Sequence, residues 1–209
     1  MNSWALKGID ETYKKFGIRI NKTYKESEHY KKGKDIILEG FKKGIFEKDE
    51  KGAIIVDLTK QNLGKKVLLR EDGTSIYITQ DLYLAVKRYQ DFKMNKMIYV
   101  VGSEQIHHFN ALFQVLELLG YPFSKNYYHL AYGMVYLPEG KMKSREGKIV
   151  DADNLISEIE LLAKKETIKR HPQITKKELN KRSEILALGA IKYLMLKYDS
   201  LKDFVFNPE

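Results

Sequence analysis

A chain of 209 residues, 43% of them hydrophobic, is long enough to bury a real core and has room for one domain or one domain with a small appendage. Thirty-seven Lys and Arg against 28 Asp and Glu leave a net charge of +9, which favours an anionic partner such as nucleic acid or a nucleotide. The lack of cysteine excludes disulfides, a thiol nucleophile and cysteine-ligated zinc or iron–sulfur centres, and it points to a cytoplasmic setting. No apolar run approaches the ~18 residues of a membrane span, and the opening MNSWALKGIDETYKK lacks the apolar core of a signal peptide.

Residues 1–50 read as helical. Trp4, Ile9, Tyr13 and Phe16 recur near helical spacing, and Ile37 and Phe41 stand four apart ahead of Gly44. From Gly44 the period changes: GIFEK, GAIIVDL and KKVLLR are short β-rich runs separated by DEKG and KQNLG, the pattern of a meander or hairpins. SIYIT then reads as a strand, and QDLYLAVKRYQDF as a helix with Leu82, Ala85, Val86, Tyr89 and Phe92 on one face. KMIYVVG reads as a buried strand, SEQIHHFNALFQVLELLG as a helix, and NYYHLAYGMVYL as one or two further strands. This alternation predicts right-handed βαβ units on a parallel sheet, an α/β fold of Rossmann-like type. The remainder is helical, with Thr175 and Glu178 as a capping box opening the last helix, and the tail DSLKDFVFNPE shows no obvious terminating structure.

In an open α/β sheet, ligands bind beyond the carboxyl ends of the strands, at the amino ends of the helices that follow. Two such junctions are expected: Tyr77 ending a strand with Asp81 opening a helix, and Gly102-Ser103 leading to Gln105 in a first helical turn. Taken singly, each residue has a plain explanation. Asp81 would complement a helix dipole for at most ~1 kcal/mol, Tyr77 would be core, and Gln105 a soluble helix start. Together, an acid, a phenol and an amide suit a ligand that carries a planar cation and an amine, because a carboxylate pairs with a guanidinium in bidentate fashion. His107 and His108 are adjacent on a helix and so point to different faces, which argues against a shared metal; no protein metal site is expected. Neither GxGxxG nor GxxxxGK[ST] occurs. The loop PEGKMKSREGK holds Lys141, Lys143 and Arg145 between Gly140 and Gly147, with Lys148 just beyond, either as a solvated turn or as a mobile clamp on a polyphosphate.

These residues, in this order, resemble the second half of the catalytic domain of an arginyl-tRNA synthetase, a class I aminoacyl-tRNA synthetase. The resemblance rests on VLLREDGTSIYITQDLYLAVKRYQDFKMNKMIYVVGSEQIHHFNALFQVLELLGY, on AYGMVYLPEGKMKSREGKIVDADNLI and, more loosely, on LGAIKYLMLKY, and covers most of residues 4 to 206. It implies that Tyr77, Asp81 and Gln105 hold the substrate arginine. It also implies that His108 lies near the nucleotide and that Met134 and Val135 form the backbone strip along which adenine lies. KMKSR, residues 141 to 145, matches the signature loop that usually reads KMSSR, so Lys141, Met142, Lys143 and Ser144 are implied at the ATP phosphates, with Lys141 and Lys143 as the catalytic cations. Lys143 stands where the family has serine.

The implied reaction is ATP-dependent activation of arginine, with Mg2+ accompanying ATP, followed by transfer to tRNA(Arg). The family's HxGH motif is absent: the histidines at 29, 107, 108, 129 and 171 sit in no such context. The expected layout is a helical and β-hairpin insertion over residues 1–65, the second Rossmann-like half with the signature loop over 66–150, and helices leading toward an anticodon-binding domain over 151–209. On this reading the chain is a fragment that needs the rest of the synthetase for activity; the alternative is a non-catalytic paralogue that binds tRNA or protein.

Overall fold

A computed structural model describes residues 2–137, 140–141 and 151–206. The chain forms two compact units, residues 22–132 and residues 1–21 with 133–209. In chain order, helix α1 (Asn2–Phe16) belongs to the second unit. The first holds α2 (Glu26–His29), α3 (Lys34–Lys42), strands β1 (Glu47–Lys48), β2 (Ile54–Leu58) and β3 (Gly64–Leu69), α4 (Tyr77–Phe92), β4 (Met97–Gly102), α5 (Ile106–Leu118) and β5 (Tyr127–Tyr132).

The hairpin runs behave as their composition predicts. β1, β2 and β3 form an antiparallel sheet with β2 in the middle, and Asp49 Oδ1 accepts from the N–H groups of Lys51 and Ala53 to shape the first turn. Gly52 in that turn has φ +90°, a left-handed value that side-chain-bearing residues avoid. Ile54, Val56 and Leu58 from β2, Leu68 and Leu69 from β3, Ile37 from α3, Leu82 and Ala85 from α4, and Leu112, Val115 and Leu116 from α5 share one buried core. Truncating one such Leu or Ile to Ala costs about 2–5 kcal/mol. The four-residue spacing of Ile37 and Phe41 does set the inner face of α3, with Ile37 buried and Phe41 packed partly beneath it.

β4 and β5 pair in parallel, in register from Met97 opposite Tyr127 to Gly102 opposite Tyr132, with α5 as the crossover between them. This is the βαβ unit expected from the alternation of periods, and the chain is an α/β protein. SIYIT, by contrast, is not a strand. Ser75 makes a single antiparallel bridge with Leu69, and α4 begins at Tyr77. The cause is Thr79: its buried hydroxyl accepts from the Ile76 N–H at 3.1 Å and donates to the Leu68 carbonyl, which ties the first helical turn to β3. Asp81 is therefore the fifth residue of the helix, beyond the first turn, so the helix-dipole explanation for it lapses.

The second unit contains α1, β6 (Val135–Leu137), β7 (Gly140–Lys141), α6 (Ala152–Arg170), α7 (Lys176–Lys197) and β8 (Phe204–Val205). Leu155, Ile156, Ile191 and Phe206 form its core, with Phe16 and Val135 against them. Trp4, Ile9 and Tyr13 of the α1 stripe stay exposed, so of the four spaced residues Phe16 alone reaches that core. α1 is fastened to α6 through Asp153, whose carboxylate receives Thr12 Oγ1 at 2.9 Å and Lys15 Nζ at 2.6 Å. Asp151 caps α6, accepting from the N–H groups of Asp153 and Asn154 at 3.0 Å. At α7, Thr175 accepts from the Glu178 N–H at 3.3 Å, while the Glu178 carboxylate turns to Arg182 instead of closing the box. The tail does carry structure: β8 pairs in parallel with β6, Phe204 opposite Val135. Gly133 makes that approach possible, because a Cβ there would strike the Lys202 backbone.

Candidate functional site

The segment that builds the site begins at a turn, Arg70 to Thr74, in which Asp72 Oδ1 accepts from the Thr74 N–H at 2.8 Å. Neighbouring threonine bonds hold the Asp72 carboxyl below the usual carboxylate range. The turn delivers the chain to the Thr79-fastened start of α4. Tyr77, the first residue of the helix, projects into solvent, 80% exposed. Asp81 follows one helical turn later on the same side.

The opposing wall comes from the start of α5. Gly102 ends β4, a 3-10 turn spans Ser103–Gln105, and Gln105 occupies the cap position of α5. Ser103 provides no side-chain cap. His107 and His108 diverge as adjacent helical residues must. His108 Nε2 lies 2.7 Å from Asp81 Oδ2, and because a carboxylate only accepts, Nε2 carries the proton and donates it. His107 Nε2 lies 2.6 Å from Lys66 Nζ; an ammonium only donates, so here Nε2 accepts and the ring proton sits on Nδ1. Lys66, Tyr77, Glu104, His107 and His108 line a cavity of about 440 Å³ with Ile78 among its apolar walls. The Asp81 carboxylate, 40% exposed, is bound to one wall of it.

Beneath this surface the packing is aromatic and rigid. Tyr99 touches Phe109, Phe113 and Tyr127, and burial pushes its phenol up to about 12 against the opposing pull of Arg88. Burial also raises the Tyr127 phenol, which donates to the Ala85 carbonyl at 2.7 Å and ties β5 to α4. A larger groove of about 680 Å³ between α6 and α7 is lined mainly by apolar side chains such as Leu162, Ile185 and Leu186 and holds none of the residues indicated by the sequence. Among the described residues no cluster of three or more histidine, aspartate or glutamate side chains could hold a metal ion.

Of the residues singled out from sequence, Tyr77 and His108 line one cavity, and Asp81, outside that lining, is joined to it through its bond with His108. Gln105 is exposed next to Glu104 and is not part of the lining. Met134 and Val135 lie in the other unit. The Met134 N–H donates to Asp203 Oδ1 at 2.7 Å and its carbonyl accepts from the Phe204 N–H at 3.1 Å, so both of its backbone groups are engaged by Asp203 and the first residue of β8. Lys141 is described through its backbone alone, opposite Tyr136 in the β6–β7 pair; Met142, Lys143 and Ser144 lie outside the described residues. Lys66 and Glu104 were not indicated by sequence reasoning. Lys66 sits in a hairpin that reads as scaffold and meets His107 across 41 positions, so no local pattern announces it.

Comparison with known proteins bears on family and fold. The family described as class I (R) tRNA synthetases, catalytic domain, matches residues 4–208. The chain is 51% identical over 211 aligned residues to the arginine–tRNA ligase of Treponema denticola and 49% identical to that of Amoebophilus asiaticus, in each case across all of this chain and 35% of the relative. It therefore spans about a third of the length of the curated relatives it matches. Among solved structures, the arginyl-tRNA synthetase of Plasmodium falciparum shares its fold with a TM-score of 0.81 at 22% identity, over 99% of this chain and 34% of that one. The Thermus thermophilus arginyl-tRNA synthetase gives 0.77 at 21%, over 94% of this chain and 39% of that one. With a family match across nearly its whole length, the chain belongs to the class I arginyl-tRNA synthetase catalytic-domain family.

Proposed function

We propose that this chain supplies the arginine pocket, the adenine-binding strip and the signature loop of an arginine–tRNA ligase, working with the further polypeptide that its relatives carry. The observation that carries the reading is Asp81: a half-exposed carboxylate, one helical turn from the Tyr77 phenol, oriented by His108 and joined through it to a preformed cavity. One Asp81 oxygen accepts from His108, and its remaining lone pairs and the second oxygen stay able to receive a guanidinium fork. Tyr77 offers a hydroxyl and a ring face on the same side of α4, suited to a planar cation.

In the reaction, the carboxylate of arginine attacks the α-phosphate of ATP, pyrophosphate leaves, and the arginyl group of the adenylate passes to the terminal ribose of tRNA(Arg). Mg2+ arrives with ATP as part of the substrate. The role of this chain's residues is positional and electrostatic: Asp81, Tyr77 and Gln105 fix the amino acid, Met134 and Val135 lie along adenine, and Lys141 with its neighbours meets charge that develops on the departing phosphates. The division into residues 1–65, 66–150 and 151–209 is proposed as the functional layout, and the cytoplasm as its setting.

The test is a chimera in which the 209-residue chain replaces the matched third of the Treponema denticola ligase, assayed for exchange of pyrophosphate into ATP. Exchange that depends on arginine and not on lysine is expected, and it should be lost with Asp81→Asn. A folded chimera with no exchange would favour a non-catalytic binding module and overturn the proposal.

A further inference from the structure

One pair in the cavity beside Tyr77 takes no part in the function proposed above. Lys66 reaches in from β3, and its Nζ lies 2.6 Å from Nε2 of His107 on α5. An ammonium has no acceptor site, so the bond requires a neutral His107 whose Nε2 lone pair is turned to the lysine. A nucleophilic side chain within hydrogen-bond reach of a base is the arrangement from which activated nucleophiles are built. The pair is accessible to solvent and faces a cavity of about 440 Å³ with Val67, Ile76 and Ile78 as apolar walls. Tyr77, Glu104 and His108 line the same cavity, and His108 is engaged by Asp81. Lys65, the preceding residue of the strand, points to the opposite face and has a different kind of partner. Its ammonium lies 3.4 Å from the Glu47 carboxylate and 3.7 Å from that of Asp57.

We propose that Lys66 is an acylation site, with His107 as its base, for a mixed anhydride of a carboxylic acid and a phosphate. Proton balance selects this class of donor. The Lys66 ammonium first loses one proton to water. The amine lone pair then adds to the acyl carbon, and the C–O bond to the phosphate breaks with its electron pair on the phosphate oxygen. An amide forms, and the single proton that the nitrogen sheds passes to His107 Nε2. The phosphate departs as a stable anion that needs no proton. An ester or amide donor would instead need an acid to protonate its leaving group, and the other imidazole of the cavity is already donating to Asp81. Acylation removes the one lysine or arginine charge among the described residues that line the cavity. The inference stands apart from the proposed function, because a donor supplied from solution needs neither arginine nor ATP.

Acetyl phosphate added to the 209-residue chain provides the test, with acetylation of each lysine followed by mass spectrometry of digests. At about pH 8, Lys66 should be acetylated at least ~10-fold faster than Lys65. The ratio of the two rates should hold steady above about pH 7.5 and fall as pH drops through ~6.5, where an imidazole takes up a proton and ceases to accept. Tyr77, Glu104 and His108, with Asp81 bonded to His108, are the other ionisable groups around the pair, so a variant must identify the ring responsible. His107→Phe should bring Lys66 down to the rate of Lys65 and abolish the pH dependence of the ratio. Equal rates at Lys66 and Lys65 in the unsubstituted chain overturn the proposal, and so does a ratio that survives His107→Phe. Should His107→Phe fail to fold, the pH course of the unsubstituted chain decides, because greater accessibility alone would give a ratio independent of pH. In a chimera that exchanges pyrophosphate, arginine and ATP without acetyl phosphate separate the sources of the acyl group. An arginyl group on Lys66 assigns the donor to the adenylate, and its absence assigns it to acyl phosphates from solution; either result leaves the acetyl phosphate outcome in force.

Discussion

At the scale of single residues, Asp81 shows what sequence can and cannot reveal. An acid, a phenol and an amide drew notice at two expected strand-to-helix junctions, of which the structure forms the one after β4, while the segment before Asp81 is already helical from Tyr77. Their bonding was not legible. Nothing local says that His108 meets Asp81 across 27 positions, or that Lys66 meets His107. Removing the acid should leave a guanidinium unpaired, so Asp81→Ala in the chimera should cost arginine roughly 2–5 kcal/mol of binding if the pair is desolvated, read by calorimetry. A change below that range would move the guanidinium elsewhere.

Thr79 makes a second residue-scale case. Its hydroxyl is fully buried and bonded twice, and the isosteric Thr79→Val leaves the Ile76 N–H and the Leu68 carbonyl without that partner. A loss of about 1–3 kcal/mol is expected in denaturant unfolding. Asp91 supplies a pH dependence. Lys22 above all, then Lys87 and Tyr24, bond this 14%-exposed carboxylate and hold it well below the usual carboxylate range. Because the folded value is depressed, the stabilisation is complete above the unfolded carboxylate's pKa of ~3.9 and is lost progressively as pH falls from there toward the folded value. Asp91→Asn should therefore flatten the acid limb of stability against pH and change little between pH 6 and pH 4.5, within the range set by carboxylate titration at ~3.9.

At the scale of elements, the helices, the β1–β3 hairpins and the β4–β5 pair were legible, and β8 was not. The 3.6-residue spacing in α3 and α4 is a local signal that Ile37, Leu82, Ala85 and Val86 obey, while Phe92 at the end of the α4 stripe stays 51% exposed. β8 is two residues long and exists because Phe204 and Val205 meet Val135 and Tyr136 nearly seventy positions earlier, a pairing with no local trace. SIYIT misled in the opposite direction: its β-branched residues favour a strand, but a long-range hydroxyl bond from Thr79 and the turn before it commit the segment to a helix. The Thr175 cap was legible because it is local, whereas Ser103 forms no cap. Thr175→Ala should lower stability by about 0.5–2 kcal/mol, and toward the low end of that range, since Glu178 is engaged with Arg182 and the box is half closed.

At the scale of the whole molecule, the proposed function draws on this chain and on the further polypeptide that its longer relatives carry. On the proposed reading, the cavity lined by Tyr77 and His108, with Asp81 bonded to His108, receives the cationic end of the amino acid, and the cations of KMKSR meet the leaving phosphates. The sequence contains no HxGH motif, which the resemblance to the family implies as a further contact with the ATP phosphates. The rate advantage of an adenylate-forming site comes from holding two substrates in line and stabilising charge that grows between them, and a site with half of its phosphate contacts forfeits both effects. The 209-residue chain alone should therefore give no arginine-dependent exchange of pyrophosphate into ATP above a no-protein control, even where arginine binds. In the chimera the same assay isolates the loop. If Lys141 meets the phosphates only as charge builds there, Lys141→Ala should lower kcat and kcat/KM together by on the order of 10²–10³ and leave KM for arginine nearly unaltered. Lys143→Ser, which restores the usual family residue, should be far milder. A larger loss at Lys143 than at Lys141 would transfer the clamp to Lys143, and a rise in KM without a fall in kcat would make the loop a contributor to ground-state binding rather than to the transition state.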